Sequence, residues 1–295
     1  MSDASFLEHC GCRLQYCLAG AGPPVVFIQG VAVHGNGWSP QVQALAQHYR
    51  CLSFDNRGMA GSQPIGAPFS IEQMAHDAEA LMDAAGFDDA HVVGHSMGGL
   101  IALALALRAK RRVRSLSLLC TFASGRDAAP PTARMLWLGL RARIGPRRAR
   151  RRAFLELILP KSVVDAGDSE ELAARYRDVF GRDLADHPPI EMKQLYAMRA
   201  FDAKPELANL TSIPTLVVAG AHDPIAPPAV GRQIAAAMRG AHYVEMADAS
   251  RRSRSSIQSA STSCSWSTSN ELHRSRISIV ARERHVVTAC SDVVQ

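Results

Sequence analysis

Ser96 stands in Gly94-His95-Ser96-Met97-Gly98-Gly99, directly after the apolar run Ala90-His91-Val92-Val93 and directly before Leu100-Ile101-Ala102-Leu103-Ala104-Leu105-Ala106. The pattern is a strand, a sharp turn and a helix, with a serine at the apex of the turn. A serine hydroxyl is a weak nucleophile and must project to where a base can reach it. That requires a turn so tight that side chains two residues away would collide. Gly94 and Gly98 remove the collision, and the backbone N–H of Met97 at the helix start can face a developing oxyanion. A bare G-x-S-x-G arises often by chance. Between a buried strand and an apolar helix it is specific.

The rest of the chain alternates in the same way. Phe6 to Ala19, turning at Gly11, reads as an antiparallel hairpin. Pro24-Val25-Val26-Phe27-Ile28 is wholly apolar, as expected of a strand covered on both faces. A helical stretch from Ser39 to His48 leads to a strand at Arg50 to Asp55, and Ser70 caps a helix running through Ala85. Val113 to Leu119, Thr215 to Ala219 and His242 to Met246 read as further strands, with a helix at Ala229 to Met238. Strands alternating with helices predict an α/β fold with a mostly parallel sheet flanked by helices. Between about Ala123 and Asp202 the rhythm becomes helical, broken by prolines. The expected organisation is therefore a core of residues 1–122 and 203–249, with residues 123–202 as a helical cap inserted over the sheet.

Four features, in order along residues 1–249, resemble the α/β-hydrolase family, in its serine esterase, enol-lactonase and haloperoxidase-like branch. The first is the turn at Ser96. The second is Ile28-Gln29-Gly30-Val31 with Trp38 beyond, which resembles the family's oxyanion loop with Gln29 in place of the usual histidine. The third is Phe54-Asp55-Asn56-Arg57-Gly58-Met59-Ala60-Gly61-Ser62, where Asp55 and Arg57 read as loop architecture. The fourth is Ala219-Gly220-Ala221-His222-Asp223-Pro224, a strand end carrying an acid. The resemblance implies Ser96 as nucleophile, Asp223 as the acid that orients a histidine, and the N–H groups of Val31 and Met97 as the oxyanion hole. It places Gly30, His34 and Trp137 at the substrate. His95 neighbours the nucleophile but points away in this turn type.

The family's triad runs Ser, Asp, His, with the histidine just past the last strand. Met246-Ala247-Asp248-Ala249-Ser250 leads straight to that position, and Arg251 stands there. An arginine stays protonated and cannot act as a general base. From Ser250 to Leu272 the chain carries ten serines interleaved with arginine and threonine, where the family closes with an amphipathic helix. Codons can be chosen for Arg251 to Leu272 so that the frame one nucleotide earlier reads Ala-Val-Thr-Ile-Glu-His-Pro-Val-Gly-Val-Asp-Glu-Leu-Leu-Leu-Glu-His-Leu-Glu-Arg-Ala. That is a helix with a leucine face. Residues 250–295 thus read as an aberrant tail produced by a reading-frame slip, with low-complexity disorder as the ordinary alternative.

The net charge of +6 is not a nucleic-acid signal. Residues 251–295 hold seven arginines against Glu271, Glu283 and Asp292, which leaves the first 250 residues nearly neutral. No nucleic-acid module is present, and no apolar run approaches a membrane span. The basic run from Arg141 to Arg152 reads as the solvated face of a cap helix, with steering of anionic substrates as the sharper alternative. Met135, Leu136, Trp137, Leu138 and Leu140 are expected to pack on the core, some lining an acyl pocket. Met192, Leu195, Tyr196 and Met198 are expected to pack. Seven cysteines at irregular spacing match no zinc pattern, and Cys10, Cys12 and Cys17 read as partly buried strand residues. The polar N-terminus carries no secretion signal, so the expected compartment is the cytoplasm. No metal or organic cofactor is implied, the expected partner is a small ester or lactone, and the oligomeric state is open. The function read from the chain is a serine hydrolase working through an acyl-enzyme on Ser96, impaired by the missing histidine. The alternative is a non-catalytic binding protein on the same fold.

Overall fold

The computed structural model describes residues 4–65, 69–159 and 161–246. The N-terminal hairpin pairs β1 (Ser5–His9) with β2 (Cys12–Ala19), and its two turn residues both have positive φ, Cys10 at 46° and Gly11 at 69°. Two left-handed residues in a two-residue loop match the right-handed twist of the flanking strands. Cys10 is consequently an exposed turn residue rather than a partly buried strand residue, whereas Cys12 is buried and Cys17 half-buried.

Behind the hairpin, β3 (Pro24–Ile28), β4 (Arg50–Phe54), β5 (Ala90–His95), β6 (Val113–Leu119), β7 (Thr215–Gly220) and β8 (His242–Met246) complete the sheet. Its order is β1-β2-β4-β3-β5-β6-β7-β8, parallel from β4 onward, with β2 antiparallel to β4. The order turns back on itself at β3, so the chain leaves β3 and β5, the two central strands, at the same sheet edge. In such sheets ligands bind at the carboxyl ends of the strands, where the order reverses.

The helices of the core are α1 (Ser39–Leu45), α2 (Ile71–Ala84), α3 (Met97–Arg108) and α9 (Pro228–Ala237). The Ser70 hydroxyl accepts the N–H of Gln73 and so caps α2. On one face of the sheet, α2, α3 and α9 bury a large cluster that includes Leu81, Leu100, Ile101, Leu103 and Ile234. Leu100 to Ala106 are all buried, because α3 lies between the sheet and α2. The other face carries a smaller cluster. Among the described residues its contribution from α1 is Val42 and Leu45, with the Trp38 ring tilted against Phe27 at 5.2 Å between centroids.

Between β6 and β7 the chain forms α4 (Ala133–Arg141), α5 (Arg147–Ile158), α6 (Lys161–Ala166), α7 (Ser169–Phe180) and α8 (Glu191–Ala200). Leu138, Ala142, Phe154, Leu155 and Leu184 give this insertion a cluster of its own. The expectation for its apolar residues needs correction. Leu136, Trp137 and Leu140 are exposed, as are Met192 and Tyr196, while Leu138 and Met198 are buried. Two residues along a helix turn about 200°, so the face holding Leu138 and Ala142 inward leaves Leu136 and Leu140 outward. The basic run is stitched into the insertion: Arg151 pairs with Glu170 and Asp183, Arg147 with Asp183 and Asp186, and Arg143 with Glu191. Arg152 pairs with Glu156 and Asp165.

Candidate active site

Ser96 lies between β5 and α3 with φ 52° and ψ −119°, a left-handed conformation that a residue with a Cβ adopts only under constraint. The constraint is visible. Its N–H donates to the Leu119 carbonyl at 2.9 Å, and its carbonyl accepts the Thr121 hydroxyl at 2.6 Å and the Gly99 N–H at 2.9 Å. A Cβ on Gly94 would fall 2.3 Å from the Gly98 carbonyl oxygen, and one on Gly98 would fall 2.2 Å from that of Ile28. Both glycines are therefore demanded by close backbone approach. Met97 opens α3, so its N–H is among the first four of the helix and has no partner within it.

The loop after β3 reaches the same point. A Cβ on Gly30 would lie 3.2 Å from the Ser96 Cβ and 3.4 Å from His95 Nδ1, so Gly30 and Ser96 are in contact distance of each other. Val31 follows, half-buried. Ala32 then takes φ 58°, and both of its backbone groups are held by side chains of the insertion. Its N–H donates to Gln194 Oε1 at 2.8 Å, and its carbonyl accepts Arg182 Nε at 3.0 Å. Gln194 is completely buried on α8. Two more tethers hold the loop: the Asn56 side chain donates to the Gln29 carbonyl at 2.9 Å, and His34 N–H donates to the Phe180 carbonyl at 3.2 Å. Nothing in the spacing of the sequence marks Gln194, Arg182 or Thr121. Their roles come from distant segments meeting.

Asp223 follows β7. Its Oδ1 accepts the N–H groups of Ile225 at 2.8 Å and Ala226 at 2.9 Å, which fixes the carboxylate at the strand end. The Cys120 thiol, one residue past the Leu119 carbonyl that anchors Ser96, neighbours Asp223. Burial pushes that thiol up to about 12, and the neighbouring carboxylate adds to the shift. Burial lowers the His95 imidazole, with Asp223 opposing. His95 Nδ1 is buried with no hydrogen-bond partner, and among the described residues no hydrogen bond joins His95 to Ser96. The structure thus brings Ser96, Met97 and Gly30 together, with Val31 next along the loop and Asp223 near enough to act electrostatically on His95 and Cys120.

Two further residues, His34 and Trp137, are expected at the substrate. His34 borders a cavity of about 390 Å³ between β2, β4 and α1, whose lining includes Asp55 and Tyr16 but not Ser96. Burial lowers the His34 imidazole and raises the Asp55 carboxyl, which accepts the Gly35 and Gly61 N–H groups. Asp55 is architectural, as read, and so is Arg57, which is fully buried and bonded twice to Asp77 at 2.6 Å. Trp137 is 52% exposed on α4 with the Arg141 guanidinium over its ring. Arg251, and the tail expected to be aberrant, lie outside the described residues.

Comparison with known proteins decides the ancestry. The model of the alpha/beta hydrolase fold family matches residues 23–251. The chain belongs to the alpha/beta hydrolase fold family. It is 31% identical over 239 residues to a protein of Azorhizobium caulinodans provisionally named carbamate hydrolase RutD, covering 79% of this chain and 86% of that one. It is also 31% identical over 259 residues to a Mycobacterium tuberculosis protein provisionally named non-heme bromoperoxidase BpoC, covering 80% and 90%. The crystal structure of the enol-lactonase from Burkholderia xenovorans LB400 superposes with a TM-score of 0.67 at 30% identity, covering 82% and 91%. By family the protein is a hydrolase, and no described helix is long and apolar enough to cross a membrane.

Proposed function

We propose that the protein is, by design, a serine hydrolase of carboxylic esters or lactones, and that the sequence as it stands lacks the base that completes it. The observation that carries this reading is the strained turn at Ser96 packed against Gly30. A non-glycine residue at φ 52° is costly, and it is retained where it aims a hydroxyl. In the proposed reaction the Ser96 hydroxyl attacks the carbonyl while a histidine takes its proton. Asp223 holds that histidine in the right tautomer and stabilises its cation. The N–H groups of Val31 and Met97 receive the oxyanion, and collapse of the intermediate expels the alcohol and leaves an acyl-Ser96. Water, activated by the same histidine, releases the acid and restores the serine.

The insertion of residues 123–202 acts in this reading as a cap over the strand ends, and residues 1–122 with 203–249 as the core. The lactonase relative supports a cyclic or activated ester. Other relatives are named for carbamate hydrolysis and for non-heme bromoperoxidase activity, so the substrate class rests on the site rather than on these names. The histidine's place is Arg251, where the family match also ends. A frame slip at that point accounts for the missing base and the missing closing helix together. Resequencing the gene across the codons for Met246 to Leu272 tests it. A missing or extra nucleotide is expected, and a confirmed frame would leave the non-catalytic binding protein as the better reading.

A further inference from the structure

Far from Ser96, the turn between β1 and β2 meets helix α2. His9, Cys10 and His76 there present one donor atom each, all within 4.8 Å of one another. The three come from two separate segments, which is why their spacing gives no zinc signature. His9 Nε2 lies 3.5 Å from Cys10 Sγ. A zinc ion with a thiolate at about 2.3 Å and an imidazole nitrogen at about 2.0–2.1 Å separates those two atoms by roughly 3.6 Å in a tetrahedron. The pair is already set at the edge length that a bound ion needs. The rings of His76 and His9 meet edge to face, with centroids 4.5 Å apart and planes at 84°, and a His76 nitrogen lies within 4.8 Å of the other two donor atoms.

The surroundings fit this chemistry. His9 Nδ1 donates to Asp77 at 2.9 Å, and Asp77 is also held by two of the Arg57 nitrogens and the Gln73 amide. A histidine whose second nitrogen bonds a fixed carboxylate presents its remaining lone pair outward, in a fixed ring orientation. Asp77 is 2% exposed and the His9 side chain 18%, so the orienting group is buried while the ligand reaches the surface. Cys10 is exposed and is turned by its positive φ, so solvent can take its proton when a metal binds. Cys12, two residues on, is wholly buried and faces the core, which leaves the fourth position to water.

We propose that His9, Cys10 and His76 bind one zinc-class divalent cation, which staples the β1–β2 turn to α2. Thiolate, two neutral imidazoles and a water suit such a borderline ion over magnesium or calcium, which take oxygen ligands. The site is independent of the catalytic reading, and its test needs no turnover.

Titration of the full chain with Co²⁺ in the absence of chelator gives the direct readout. We expect a thiolate-to-cobalt absorption band in the near ultraviolet that saturates at one equivalent, bleaches when Zn²⁺ is added, and is accompanied by a zinc-dependent rise in Tm. Cys10→Ser should abolish the band, and His76→Ala should weaken Co²⁺ binding by about tenfold or more. Both positions are at the surface or half-buried, and the circular dichroism of each variant checks that the fold survives. A band that persists in Cys10→Ser, or Co²⁺ binding equally tight in His76→Ala, would overturn the proposal, as would the absence of any band in the parent chain.

Discussion

The two loops that meet at Ser96 are held in place in opposite ways. The serine turn is shaped chiefly by its own glycines: Gly94, Gly98 and Gly99 admit neighbouring backbone and side chain, while Leu119 at the end of β6 and Thr121 just beyond it add hydrogen bonds. The loop after β3 has no such self-sufficiency. Ala32, one residue past Val31, sits at φ 58° and is held by Gln194 and Arg182, which lie far along the chain in the inserted segment. A loop specified locally is legible in sequence and intolerant of any change within it. One specified from a distance is invisible to a reading by motif and can be loosened without touching its own residues.

The largest effect should come from breaking the local device. Gly98→Ala places a methyl 2.2 Å from the Ile28 carbonyl oxygen and 2.9 Å from that of Gln29, so strand β3 must shift. A loss of about 3 kcal/mol, read as a lower urea midpoint, is expected. The distant device should break more gently. Gln194→Leu keeps the volume but leaves the Ala32 N–H buried and unpaired, at a cost of about 1–3 kcal/mol. In a chain with the histidine and closing helix restored, the same change should lower kcat more than it raises KM if the Val31 N–H beside Ala32 is the oxyanion donor proposed above.

Arg182→Met removes the donor to the Ala32 carbonyl, yet burial already costs the guanidinium and lowers its pKa, so the net loss should be near 1 kcal/mol. Retention of full stability in both Gln194→Leu and Arg182→Met would dissolve the contrast between the two loops.

The smallest effect concerns the ion pairs that stiffen the insertion. The Arg151 guanidinium bonded to Asp183 holds its carboxyl well below the usual carboxylate range. A pKa depressed in the folded state gives stability that is present above the unfolded value of about 3.9 and is lost as pH falls through the folded one. The Tm difference between the parent chain and Asp183→Asn should therefore hold steady from neutral pH to about pH 5 and close in stronger acid. A partly exposed pair is worth at most about 1 kcal/mol, so the gap will be small.

The same division explains what the sequence reading reached. The strands, the Ser70 cap and the turn at Ser96 follow from local periodicity and glycine placement, and they fall where expected. Asp55 and Arg57 were readable as architecture because they stand in a family loop. The outward face of α4 was misread, since Leu136, Trp137 and Leu140 are as apolar as the residues beside them that pack inward. Gln194 on α8 and His76 on α2 were out of reach for a different reason. Each acquires its role only when a segment distant in the chain is folded against it.

Initial rates on p-nitrophenyl acetate test the central claim most directly. The 295-residue chain would be compared with one carrying histidine in place of Arg251 followed by the restored helix, each with a Ser96→Ala control. If Ser96 is the nucleophile and the Arg251 position that of the lost base, the restored chain turns over, Ser96→Ala abolishes this, and the unrestored chain is slower by at least about 10³-fold. Equal, Ser96-dependent rates in the two would contradict it, because a base would then have to lie elsewhere.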